Sequence, residues 1–242
     1  MEEITIRVNK NVLFGVAGLI VGVVLGFGGA TFMDEKTAAV AQNNNPSLLN
    51  TGNAEDGTTA TASPNITITS NDHLRGAKKY QAAIVEYSDF QCSYCQKFHS
   101  TMKQVMANYG TRVAWVYRHY PLSFHTNAQA AAEAAECASE QGKFWEYSDK
   151  IFEKAQGDGT GLAKTDLEGY AKNLGLDVAK FNACVSGNKY ASRVSADLSS
   201  GGAAGVDGTP TSIIIDKNGA QRLVSGALPY EQIKSLIENA LK

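Results

Sequence analysis

Residues 82–95 read AAIVEYSDFQCSYC. The first half, AAIVEYS (82–88), is apolar and rich enough in β-formers to predict a buried strand. The next stretch, SYCQKFHSTMKQVMANYG (93–110), spaces Phe98, Met102, Val105, Met106 and Tyr109 as one face of a helix and stops at Gly110. Cys92 therefore falls where a strand ends and a helix begins, and Cys95 lies one turn further in. RVAWVYRHY (112–120) predicts a second strand, ended by Pro121. The order is β-α-β, for which a parallel sheet is the natural outcome.

The position of the two cysteines carries chemistry. The first N–H groups of a helix are unpaired and partially positive, so they favour a thiolate at the N-terminus. Cysteines so placed, or in Cys-x-x-Cys motifs, titrate at about 3.5–7.5 instead of about 8.5. The asymmetry assigns Cys92 as the nucleophile and Cys95 as the resolving thiol. A zinc site would need two more ligands. No second Cys-x-x-Cys exists, and His73, His99, His119 and His125 show no paired spacing, although His99 shares a helical face with Cys95. A purely structural Cys92–Cys95 disulfide closes so small a loop that it adds little stability. Redox exchange, with neither metal nor cofactor, is the expected chemistry.

Working outward, ITIT (66–69) reads as a short strand. From His125 to about Ala204 the pattern is helical: an alanine-rich run over 128–141, an amphipathic KFWEYSDKIFEKA (143–155), a glycine-rich loop QGDGTG (156–161), and TDLEGYAKNLG (165–175) with Thr165 and Glu168 in a capping-box pattern. DVAKFNACVSG (177–187) and KYASRVSADLSSGGAAG (189–205) complete the set. Strand pattern returns at TSIIID (211–216), turns at DKNG (216–219), continues in AQRLVSG (220–226) and ends in a helix, PYEQIKSLIENALK (229–242). The predicted architecture is a βαβ half, a helical insertion and a ββα half. Cys137 and Cys184 lie on two insertion helices. A structural disulfide between them is expected, closing a loop of about 47 residues worth ~4 kcal/mol. Two buried free thiols are the alternative.

The amino-terminal quarter sets the compartment. No charged residue occurs from Asn11 to Met33, and roughly 20 apolar residues span a bilayer as a helix. Arg7 and Lys10 precede this run, so the positive-inside rule keeps residues 1–10 in the cytoplasm and exports the chain beyond Met33. Ala39-Val40-Ala41 would fit signal cleavage, but a charged segment separates it from the apolar run, and an uncleaved anchor is expected over 11–33. Gly18, Gly22 and Gly26 share a helix face, a spacing that lets two membrane helices approach into a weak dimer. Residues 34–65, with NNNPSLLNTGNAEDGTTATASP at their centre, offer little to bury and predict a disordered tether with a reach of roughly 30 Å. The formal net charge of −2 gives no footprint for nucleic acid.

Taken together, AAIVEYSDFQCSYC, AAECASEQGKFWEY and GVDGTPTSIII resemble the DsbA-like thiol–disulfide oxidoreductases of the thioredoxin superfamily. The resemblance covers about residues 66–242. It implies an α/β thioredoxin fold over 66–121 and 205–242 with an α-helical domain inserted over 122–204. It implies that Thr209-Pro210, with Pro210 in cis, faces the cysteine pair and offers backbone to an extended client chain. It also implies that Glu86 is a buried carboxyl beneath the resolving cysteine, raised by desolvation and able to take its proton. Ser93-Tyr94 between the cysteines departs from the Pro-His or Pro-Tyr of better-known members, which leaves the potential and hence the direction of electron flow open.

The expected function is a membrane-anchored, extracytoplasmic dithiol oxidase that introduces disulfides into exported clients. The resemblance implies a quinone-linked membrane partner for reoxidation. A reductase or isomerase of the same fold, or a metal-binding or client-holding module using the same groove, are the alternatives. Phe90 and Tyr94, with Thr209 and Pro210, are the expected client contacts; Tyr120, Phe144 and Trp145 would extend that apolar surface or else belong to the core. His119 and His125 would line the groove without a catalytic role.

Overall fold

Strand β2 (Ala82–Ser88) is buried along its whole length, as is β3 (Val113–His119), which lies parallel to it with Glu86 opposite Tyr117 and Ser88 opposite His119. A continuous apolar run suits a strand covered on both faces. In a computed structural model that describes residues 64–242, these two strands form the centre of a five-stranded sheet of order β1-β3-β2-β4-β5. The outer strands β1 (His73–Gly76), β4 (Thr211–Ile215) and β5 (Gln221–Ser225) all run antiparallel to their neighbours. The sheet is mixed, with only its central pair parallel. The expected cytoplasmic segment, the membrane helix with Gly18, Gly22 and Gly26, and nearly all of the tether lie outside the described residues. Among the described residues no helix is long and apolar enough to cross a membrane.

Helix α1 (Ser93–Tyr109) lays Phe98, Met102 and Val105 against Ile84 and Trp115 on one face of the sheet, and the final helix α7 (Tyr230–Ala240) adds Ile233 and Ile237. Each such side chain contributes about 1.5–3 kcal/mol when fully buried. Between β3 and β4 come α2 (Ala128–Ser139), α3 (Phe144–Lys154), α4 (Lys164–Asn173), α5 (Val178–Ser186) and α6 (Ala191–Ala203). Residues of α2 to α5, among them Tyr147, Ile151, Leu167 and Phe181, share a core with Phe90, Cys95 and Tyr117. Helix α6 lies against the opposite sheet face. A Cβ on its Gly201 would come within 2.8 Å of the Tyr120 ring and 2.9 Å of Tyr87, so only glycine permits this approach.

Two local readings need correction. ITIT (66–69) is not a strand. The Gln221 side chain bonds both the N–H and the C=O of Ile66, and Asp72 accepts from Thr69 N. Side chains thus satisfy backbone groups that a ladder would otherwise claim. The edge strand is HLRG (73–76), which has no apolar alternation and pairs because β3 offers an open side. Arg118 anchors this region: its guanidinium reaches Asp72, Tyr87 Oη and Thr67 O. The start of α4 also differs. Its N-cap is Ala163, whose N–H donates to Asp166 Oδ2 at 3.1 Å. Thr165 lies inside the helix and Glu168 accepts from Asn182 instead.

Candidate active site

Cys92 is the N-cap of α1 and has no side-chain cap. Its Sγ lies 3.5 Å from the backbone oxygen of Thr209, and the Thr209–Pro210 bond is cis. Pro210 is buried and Thr209 half-buried. The segment ahead of β4 therefore meets the nucleophilic sulfur directly, as the resemblance implies. Cys92 and Cys95 are both free thiols. Cys92 keeps 6% of its surface, whereas Cys95 keeps none.

The two thiols are driven apart electrostatically. A hydrogen bond from the Cys95 side chain is the largest influence on Cys92. With the Cys95 and Tyr94 backbone N–H groups and Thr209, it outweighs burial and brings Cys92 down to about 6. Burial pushes Cys95 up, and the neighbouring Cys92 and Glu86 charges add to it. At neutral pH Cys92, the more accessible of the pair, is a thiolate and the fully buried Cys95 is a thiol. That is the arrangement nucleophilic exchange requires.

Glu86 lies on the α1-facing side of β2 with no exposed surface. Burial raises its carboxyl to about 7, against the nearby Ser88 hydroxyl and the hydrogen bond from Trp115. Trp115 Nε1 donates to Oε2 at 2.8 Å. A carboxyl that titrates near neutrality and sits near a high-pKa thiol is placed for proton transfer.

Asp89 joins the cysteine loop to the insertion. Its carboxylate accepts from Gln91 N, Leu122 N and His125 Nδ1 at 2.7–2.8 Å. Its own N–H points to Cys95 Sγ at 3.5 Å. Gln91 Oε1 accepts from Asn127 N, and Gln96 donates to the Phe152 and Ala155 carbonyls. Sequence reading passed over Asp89. Its one signal was an Asp followed two residues on by a backbone donor, the Asx-turn pattern.

Several expected contacts move. Phe90 is not a client contact: it is 2% exposed and packs 5.2 Å from Tyr117 and 4.9 Å from Phe152. The chain turns it inward because the insertion supplies an aromatic cluster for it to join. Phe144 is core as well, Trp145 is partly buried under Arg75, and Tyr120 donates to Val206 O. Tyr94 does face solvent, at 62% exposure, and Phe124, which sequence reading missed, is 72% exposed beside His125. His119 is fully buried and does not line a groove. His99 turns from the cysteines to Asp149 Oδ1 at 2.7 Å and stacks on Phe152. Cys137 and Cys184 are disulfide-bonded, tying α2 to α5.

His73, His119 and Glu136 bring one potential metal ligand each within 4.8 Å. Both Nε2 atoms lie 2.8–2.9 Å from the same Oε1, and the Arg193 guanidinium approaches it at 3.7 Å. Tetrahedral zinc with ligands at about 2.0–2.2 Å would hold those atoms roughly 3.3 Å apart. The shorter spacing and the nearby cation describe a hydrogen-bonded brace between sheet and insertion. Burial raises the Glu136 carboxyl, but the two histidines outweigh it and hold the group well below its ordinary range.

Residues 68–239 match the family model described as Thioredoxin. The chain belongs to this thioredoxin family. Its structural neighbours are thiol–disulfide oxidoreductases of the DsbA and BdbD type. DsbA2 of Pseudomonas aeruginosa is 26% identical, with a TM-score of 0.60 over 71% of this chain and 96% of that one. BdbD of Bacillus subtilis, in its oxidised form, is 21% identical, with a TM-score of 0.63 over 74% of this chain and 96% of that one. Among curated proteins, a Na(+)/H(+) antiporter NhaA 1 of Salinispora arenicola is 38% identical over 141 residues. Those residues are 58% of this chain and 21% of the antiporter, so the chain spans about a fifth of the curated relatives' length.

Proposed function

We propose that the chain is an extracytoplasmic dithiol oxidase, held at the cell membrane by residues 11–33, that introduces disulfides into exported proteins. One observation carries the reading: Cys92 is brought down to about 6 while Cys95 is pushed up. A stabilised thiolate favours the reduced pair, and a pair that prefers reduction is an oxidant. A client thiolate attacks Cys92 Sγ of the oxidised pair. The Cys92–Cys95 bond breaks, a client–Cys92 disulfide forms, and Cys95 leaves as a thiolate that takes up a proton. The client's second thiolate then attacks its own sulfur in the mixed disulfide. It releases Cys92 as a thiolate, so the client loses two electrons and the pair gains them.

Thr209 and Pro210 beside Cys92 support docking of an extended client chain, and exposed Tyr94 supplies an apolar contact at the rim. The apolar run 11–33 and the flexible composition of 34–65 support anchoring with the catalytic domain outside. A quinone-linked membrane partner would reoxidise the pair, and the glycine face of the anchor would allow a weak dimer. Equilibration of the purified chain against glutathione buffers tests the direction. A potential near DsbA's, about −120 mV, supports the oxidase; one near thioredoxin's, about −270 mV, makes the chain a reductase that needs an electron supply.

A further inference from the structure

The buried surroundings of Glu86 are unusually polar. In the sheet register it faces Tyr117 on β3 and Ser212 on β4, and Ser88 lies two residues on along the same face of β2. Paired positions and alternate residues share a face, so all four side chains point toward α1 and Cys95. None has more than 1% of its surface exposed. Glu86 Oε1, Ser88 Oγ, Tyr117 Oη and Ser212 Oγ are all buried without a closed hydrogen bond. Native interiors leave only a few such atoms unpaired per 100 residues, and a cluster of them needs an explanation. Three hydroxyls around one carboxyl, in a sheet centre otherwise filled by Ile84, Val85 and Val116, would be a costly way to build a core.

A hydroxyl both donates and accepts a proton, so a line of hydroxyls conducts one where a carboxylate alone is out of reach. Ser88 is the hydroxyl that acts on all three neighbouring groups. It favours the charged forms of Glu86, Tyr117 and Cys95 alike, against the burial that raises each. Cys95 and Glu86 close no direct hydrogen bond. Ser88 lies between strand and cysteine loop, one residue ahead of Asp89, whose N–H points at the same sulfur.

We propose that Ser88 relays the proton between Cys95 and Glu86 during disulfide exchange, with Tyr117 and Ser212 solvating the carboxylate that results. The inference rests on exchange at Cys92–Cys95 but on neither direction of it. When the pair opens, the Cys92–Cys95 bond breaks and Cys95 departs as a thiolate. The Ser88 hydroxyl gives its proton to that sulfur and takes one from the Glu86 carboxyl, leaving Glu86 ionised. When the pair closes, Cys95 passes its proton to Ser88 and Ser88 passes its own to Glu86. The Cys95 thiolate then attacks Cys92 Sγ of the mixed disulfide, the bond from Cys92 to the partner sulfur breaks, and that sulfur leaves as a thiolate. Electrons move only between sulfurs, and the relay returns to its starting state after each cycle.

Stopped-flow reaction of the reduced full-length chain with oxidised glutathione, monitored by tryptophan fluorescence, separates two phases. The first is bimolecular capture by Cys92, and the second is closure by Cys95. In Ser88→Ala the closure phase at pH 7 should slow at least about tenfold, the low side of the ~10²–10⁴-fold that positioned proton transfer supplies. Its pH profile should move to higher pH, because solvent must then deprotonate Cys95. In a Glu86→Gln background, Ser88→Ala should add no further slowing, since the relay has lost its terminus. Should Ser88→Ala fold poorly, the near-isosteric Ser88→Thr and Ser88→Val make the same comparison, with Thr retaining closure and Val losing it. A closure rate and pH profile equal to wild type, or a full additive loss in the Glu86→Gln background, overturns the relay. A wild-type chain that captures no glutathione overturns the exchange reading itself.

Discussion

The stability of the reduced chain relative to the oxidised one should rise with pH. In the folded dithiol Cys92 titrates at about 6, against an ordinary 9.0. Below about pH 6 the thiol is protonated folded or unfolded and contributes nothing. Between 6 and 9 the unfolded chain holds a proton that the folded chain has released, so stability rises with pH. The difference is about three pH units, 9.0 minus about 6. At ~1.4 kcal/mol per unit the ceiling is about 4 kcal/mol, of which about 1.4 kcal/mol is present at pH 7. The oxidised form has its own advantage, about 2 kcal/mol from closing a short loop in the unfolded chain, but this does not change with pH. The reduced chain should therefore overtake the oxidised one near pH 7.5, by about 1–2 kcal/mol at pH 8.5. Urea unfolding of both forms at pH 5.5, 7.0 and 8.5 reads the difference directly. Glu86 titrates in both forms and cancels to first order, and stopping at 8.5 avoids the opposing titration of unfolded Cys95. A difference that stays flat or shrinks as pH rises would refute the claim that the fold holds Cys92 as a thiolate.

Glu86→Gln should stabilise the oxidised chain at pH 8 by up to about 3 kcal/mol and leave it unchanged at pH 4. A carboxyl raised from 4.5 to about 7 keeps a proton that the unfolded chain sheds, so its cost accumulates as pH rises through that window; equal effects at both pH values in urea unfolding would remove that explanation. Cys137→Ala should lower unfolding free energy by ~4 kcal/mol, the loop-closure entropy of a 47-residue separation, read as a lower urea midpoint. Gly201→Ala should cost about 1–3 kcal/mol by overpacking, because the new methyl meets the Tyr87 and Tyr120 rings; a melting temperature equal to wild type would show that α6 can shift freely.

Much of the site was legible because its signals are local. A strand, a short loop and a helix placed Cys92 at a helix N-terminus before any fold was known, and the Cys95 side chain that most lowers its pKa, with the Cys95 and Tyr94 N–H groups, belongs to its own helix. The antiparallel edge of the sheet was less legible. HLRG has no periodic signal, and it becomes a strand only because β3 leaves an unpaired side beside it. Phe90 is the clearest misreading. An aromatic beside a reactive cysteine looks like a client contact, and nothing nearby in sequence shows that Tyr117 and Phe152 enclose it. Phe124 was missed for the converse reason: only the fold leaves it exposed, next to a histidine tied to the active-site loop.

Sequence alone indicated the βαβ start, the helical insertion and the unequal placement of the two thiols, and made the Cys137–Cys184 bond the expectation that the structure bears out. Each comes from periodicity, helix polarity or cysteine position. Tertiary structure alone decided what joins Glu86 near the second thiol. Glu86, Ser88, Tyr117 and Ser212 come from three strands, and only the register of the sheet puts their side chains side by side on one face. Whether a buried carboxyl and three hydroxyls form a proton path depends on alignment across strands, and sequence spacing does not encode it.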